Sequence, residues 1–201
     1  MKQFEFKGDH RRAFIYDLFK SWHKTLLEYE KVMFKDQELP YYYIERTNIG
    51  LLSASALKIG AHPIEEYSAS RGKGAKRYAG RADLWIRHKN GQTFDFEAKQ
   101  KWVSLDSKKV ADTVKPVLLE AIKAVKGLTD RSDFSVGIVF VIPYVTKSAK
   151  IHFASFRNQI LNYDSYGADF VAIHFCDEKI WKAAQFEKIF YPCIAIVGKY
   201  I

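Results

Sequence analysis

Between Ala82 and Lys99, apolar and charged residues alternate on either side of Lys89-Asn90-Gly91, and that alternation calls for a β-hairpin with one buried face. A two-residue turn at Asn90-Gly91 would set Leu84 opposite Glu97 and mix apolar with charged side chains on both faces. A three-residue loop, with Gly91 left-handed in a bulge, instead pairs Asp83 with Glu97, Leu84 with Phe96 and Ile86 with Phe94. One face then carries Ala82, Leu84, Ile86, Phe94, Phe96 and Ala98, and the other Asp83, Trp85, Arg87, Asp95, Glu97 and Lys99. Directly opposed Cβ atoms lie roughly 4.5–5.5 Å apart, so Asp83 and Glu97 repel each other unless a cation stands between them. Lys99 follows Glu97 by two residues and shares its face. Asp95 lies one pair nearer the turn and is expected to be solvated, and Gln100 points to the opposite face.

A solvated polar face is the ordinary alternative for any short acid-x-lysine pattern. Here the apolar inner face fixes the register that brings the earlier acid to Glu97. The run Gly80-Arg81-Ala82-Asp83 entering one strand, followed by Glu97-Ala98-Lys99 in the next, resembles the PD-(D/E)XK nuclease superfamily. Ala82 stands where that family usually has proline, which leaves the carboxylate in place.

The resemblance implies an α/β restriction-endonuclease-like fold, a mixed central sheet flanked by helices around an α-β-β-β-α-β core. Residues 45–145 can supply that core, within a single domain of residues 1–201 that adds an N-terminal helical arm (1–40) and a C-terminal extension (146–201). It further implies metal-dependent hydrolysis of nucleic acid, with DNA favoured over RNA. Asp83 and Glu97 would hold Mg²⁺, with Mn²⁺ as a substitute, and the Ala98 carbonyl would be a third ligand. Lys99 would stabilise the attacking hydroxide or the phosphoryl oxygens. In such folds a glutamate on the helix before the first strand often completes the site, and Glu45 matches it. Glu65 and Glu66 compete for that place, with Glu28 and Glu30 behind them. An acid at Glu45 also has an ordinary role against the helix dipole.

Helices are expected over residues 9–33, with Phe14, Leu18, Trp22, Leu26 and Tyr29 along one side, and over 45–59, stopped by Gly60. Others are expected over 107–128, where Pro116 kinks the helix or marks its first turn, and over 148–161. Strands are expected over 64–70, 81–88, 93–102, 134–144 and 170–175, with a further apolar segment over 189–197. The run FSVGIVFVIPY is apolar almost throughout, as suits a central strand covered on both faces.

Net charge is +9, and five basic residues, Arg71, Lys73, Lys76, Arg77 and Arg81, cluster just before Asp83 among Gly72, Gly74 and Gly80. Such a cationic loop can clamp a phosphate backbone or remain a solvated surface loop. The glycine spacing excludes a P-loop. Cys176 and Cys193 lack CxxC spacing, so a disulfide framework or zinc site is not indicated, and the six histidines form no metal-ligand pair in the sequence. No stretch has the length of a membrane span and the start lacks the apolar run of a signal peptide, so a cytoplasmic setting without membrane contact is expected. About 200 residues leave little room for a separate reading domain, so a homodimer or a partner protein is expected to supply target recognition. The competing function is a catalytically inactive nucleic-acid-binding or interaction protein that keeps the fold.

Overall fold

Alternate side chains of the apolar run at 134–146 serve two different cores. Val136, Ile138, Phe140 and Ile142 pack with one set of helices, and Val139, Val141 and Val145 with another. In the computed structural model, which describes residues 2–9, 13–72, 74–129, 132–146, 153–186 and 188–201, this run is the middle strand of a mixed sheet.

The strands and helices in chain order are β1 (Phe4–Gly8), α1 (Ala13–Met33), α2 (Glu45–Lys58), β2 (His62–Arg71), β3 (Tyr78–Arg87), β4 (Thr93–Ser104) and α3 (Val110–Lys126). They continue with β5 (Phe134–Thr146), α4 (Phe153–Ile160), β6 (Phe170–Phe175), α5 (Glu178–Ala183), β7 (Gln185–Phe186), β8 (Ile189–Phe190) and β9 (Cys193–Tyr200). The sheet runs β1-β6-β9-β5-β4-β3-β2, with the small β7–β8 pair attached to β5. β4 and β5 are parallel and every other neighbouring pair on this path is antiparallel. Helices α1 and α2 cover one face, and α3 and α4 the other. The protein is thus α/β, and the order α2-β2-β3-β4-α3-β5 occupies residues 45–146.

Several sequence expectations shift. The amino-terminal segment expected as a helical arm also supplies a strand: β1 pairs with β6 at the sheet edge, and α1 buries Phe14, Leu18, Trp22 and Leu26 in the common core. The i, i+4 row through those four residues continues to Glu30, not Tyr29; Tyr29 is therefore exposed and Glu30 is buried. His174 Nε2 donates to Glu30 Oε1 at 2.6 Å, and His174 Nδ1 lies 2.8 Å from His23 Nδ1, so two of the histidines belong to a polar chain inside the fold. Pro116 falls in the second turn of α3, since that helix begins at Val110 and continues past it. The expected start of α1 and the first residues expected for α4 lie partly outside the described residues. Among the described residues no helix is long and apolar enough to cross a membrane.

Candidate active site

The hairpin turn forms as its sequence requires. His88 N–H donates to Gln92 O at 2.8 Å, Gly91 N–H donates to His88 O at 2.9 Å, and Gly91 has φ 92°, inside the left-handed region open to glycine. The ladder runs from Arg87↔Thr93 to Leu84↔Phe96, the register expected from the alternation. At Asp83 it ends. Ala82 turns to Val125 and Leu128 beneath α3, while Leu84 packs in the core beneath α1 and α2, so the inner face anticipated for the hairpin divides at this point. On the far side of β3 the pairing passes from Glu65↔Leu84 to Tyr67↔Ala82, and the intervening Glu66 has φ 49°. A left-handed non-glycine residue costs roughly 1–2 kcal/mol, and this one lies level with Asp83.

Where β3 parts from β4, a side-chain carboxylate replaces the strand carbonyl: Asp83 Oδ2 accepts the Ala98 N–H at 2.7 Å. Gln100 fastens the start of α2: Asn48 Nδ2 donates to its Oε1 at 2.8 Å, and its Nε2 donates to Tyr43 O at 3.1 Å. Gln100 therefore anchors the helix that delivers Glu45.

Four of the anticipated residues converge here. Glu97 is buried; desolvation and then the charge of Asp83 push its carboxyl up to about 7, against the opposing pull of Arg71 and Lys99. Glu45 is pushed up by burial, with Asp83 adding to the shift and Lys99 opposing it. Lys99 Nζ donates to Ala98 O at 2.6 Å and stands 3.8 Å from Glu45 Oε1. Among the glutamates weighed for a third carboxylate, Glu66 pairs with Arg81 at 3.1 Å, Glu28 pairs with Lys58, and Glu30 is committed to His174. Glu65 lies beside α2 at Gly50.

Arg71 occupies a place the sequence does not reveal. Its Nη1 donates to Ala124 O at 2.8 Å, its Nε to Arg81 O at 3.2 Å, and its Nη2 to Arg81 O and to Glu97 Oε1. The guanidinium is thus withdrawn from the surface loop in which it was expected and neutralises Glu97 instead. Gly80 makes room for it, because a Cβ there would stand 2.8 Å from Arg71 Cδ. Asp95 is likewise buried rather than solvated. It accepts from Tyr67 Oη at 2.6 Å and from Ser132 N–H at 2.8 Å, which ties β4 to β2 and to the segment before β5.

The connection that carries the rest of the basic stretch is short, since β2 extends to Arg71 and β3 begins at Tyr78. Lys76, Arg77 and Arg81 are exposed, and Lys73 lies outside the described residues. Gly72, Gly74, Arg77, Gly127 and Thr129 line a groove of 530 Å³ next to Arg71.

The donors around Asp83 are carboxylate and carbonyl oxygens, the chemistry that suits a hard cation such as Mg²⁺. In the arrangement described, Arg71 and Lys99 balance them, and among the described residues no three His, Cys, Asp or Glu side chains are gathered closely enough to enclose an ion.

No family model and no curated protein matches the chain. A solved structure described as "Crystal structure of SSO0001" is similar at 24% identity over 47% of this chain and 43% of that one, with a TM-score of 0.25. The chain thus spans less than half of that structure, and the likeness defines no shared fold.

Proposed function

We propose that this protein is a metal-dependent nuclease with a restriction-endonuclease-like core, hydrolysing phosphodiester bonds of nucleic acid, DNA in preference to RNA. The observation that carries this reading is the meeting of Asp83, Glu97, Lys99 and Glu45 at the place where β3 leaves β4. Like charges held together at partial burial are costly to a fold and are concentrated where chemistry needs them. The element order α2-β2-β3-β4-α3-β5 agrees with the core implied by the nuclease resemblance.

Asp83, Glu97 and Glu45, with the Ala98 carbonyl, would hold Mg²⁺ or Mn²⁺, and that ion would supply charge for the phosphoryl oxygens and a more acidic water. Asp83 has one oxygen on the Ala98 N–H, so it orients β4 and would offer its other oxygen to the ion. Lys99 is about one-third exposed and would exchange its bond to the Ala98 carbonyl for one to a substrate phosphate. Lys76, Arg77 and Arg81 would contact the backbone of the nucleic acid, each contact making binding weaker as salt rises.

A second reading has its own support: Arg71 already neutralises Glu97, which suits a protein that binds nucleic acid without cutting it. Incubation of plasmid and single-stranded oligonucleotides with the protein in Mg²⁺ or Mn²⁺ separates the two. Cleavage that disappears with EDTA and with Lys99→Ala supports the nuclease. Salt-sensitive binding without cleavage under any divalent ion supports the inert binder.

A further inference from the structure

Resting on the nuclease reading above, we infer that Arg71 is a positioning residue that permanently occupies one side of Glu97 and restricts the acid cluster to a single divalent cation. Its guanidinium is fixed from three directions: the carbonyl of Arg81 on β3, the carbonyl of Ala124 in the last turn of α3, and Glu97 on β4. The side chain is 14% exposed and that of Glu97 4%. Gly80 provides the space, and the backbone of Arg71 is held by pairing with Tyr78 and a bridge to Leu128.

Charge gives the arrangement its consequence. With every acid ionised, Glu45, Asp83 and Glu97 carry three negative charges against the two positive ones of Arg71 and Lys99. One divalent cation on the Asp83 side turns a small negative excess into a small positive one. A second would have to take the position beside Glu97 that the guanidinium fills, against the four positive charges of Arg71, Lys99 and the first ion. Arg71 therefore stands in for a second ion as a fixed cation on the buried acid, and it keeps one Glu97 oxygen on itself.

The test is the number of Mn²⁺ ions bound per chain at neutral pH in the absence of nucleic acid, measured by calorimetric titration and by counting free Mn²⁺ with electron paramagnetic resonance. The wild-type chain should bind one. Arg71→Met, which keeps much of the side-chain volume and removes the charge, should bind two, and Arg71→Lys should return the count to one. Asp83→Ala should abolish binding in the wild type and lower the count in Arg71→Met, which places the ions in this cluster. Two ions on the wild-type chain would overturn the inference while leaving the metal site standing, and this result does not depend on any variant folding. A count unchanged at one in a folded Arg71→Met chain would overturn it as well, as would ions that persist unchanged in Asp83→Ala. Absence of Mn²⁺ from both wild type and Arg71→Met would remove the metal-nuclease reading, and the inference with it.

Discussion

Asp83 Oδ2 accepts the backbone N–H of Ala98 at 2.7 Å, so the first acid of the cluster holds in place the strand that carries the second. Its substitutions should separate the two roles. Asp83→Ala leaves a partly buried N–H without its acceptor and should cost about 1–3 kcal/mol in urea unfolding, whereas Asp83→Asn retains an acceptor oxygen and should cost less than about 1 kcal/mol. Both should lose Mn²⁺-dependent cleavage. Full cleavage by Asp83→Asn would exclude this carboxylate from the chemistry.

Glu97 makes stability depend on pH when no divalent ion is present. Its carboxyl titrates at about 7 in the fold against an ordinary 4.5, so the folded state holds the proton more tightly than the unfolded chain does. The associated stability is present in full below about pH 4.5 and is lost as pH rises through about 7, a change of about 3 kcal/mol. Glu97→Gln should flatten that slope. Unfolding curves of the two proteins between pH 4.5 and 8 in EDTA make the comparison.

Removal of Arg71 strands a buried carboxylate. Arg71→Ala should destabilise the metal-free protein by about 3 kcal/mol, the lower end of the range for breaking a buried pair, because the guanidinium keeps some contact with water. The double variant Arg71→Ala/Glu97→Gln should lose clearly less than the sum of the two single changes, by about 1 kcal/mol or more. Additive losses would show that the two side chains are not coupled.

A second pH dependence lies under the opposite face of the sheet. His23 is lowered to about 4, first by burial and then by the neighbouring His174 and Lys24. Its folded pKa lies below its ordinary 6.5, so its contribution is intact above about pH 6.5 and is lost as pH falls toward 4, by at most about 3 kcal/mol. His23→Gln should remove this acid sensitivity, and the NMR titration of the His23 ring in the wild type should show a midpoint well below 6.

The hairpin was legible because alternation and turn chemistry are local. Residues 82–99 contain the information for their own register, and Glu45 could be nominated because it opens the helix that leads directly into β2. Arg71 could not. Its reach to Glu97 crosses β3, and it depends on where β2 lies, on the missing side chain at Gly80 and on a carbonyl at the end of α3, none of which is adjacent in sequence. Asp95 misled for a related reason: its partners Tyr67 and Ser132 are 28 and 37 residues away, and without them a carboxylate on a polar strand face looks solvated. β1 is short and at the edge of the sheet, and its pattern acquires meaning only beside β6. The convergence of the charged residues could be expected from the sequence; the cation that already accompanies them could not.

The position of β9 between β5 and β6 bears on how the chain reaches this state. Among the described residues, β6 and β1 join the remainder of the sheet only through residues 193–200, although β1 begins at Phe4. Nearly the whole length of polypeptide must be looped before that junction can close. Folding should accordingly be slow for a protein of this size, governed by high contact order, with the β2–β4 meander and α3 assembling well ahead of the β1–β6–β9 half.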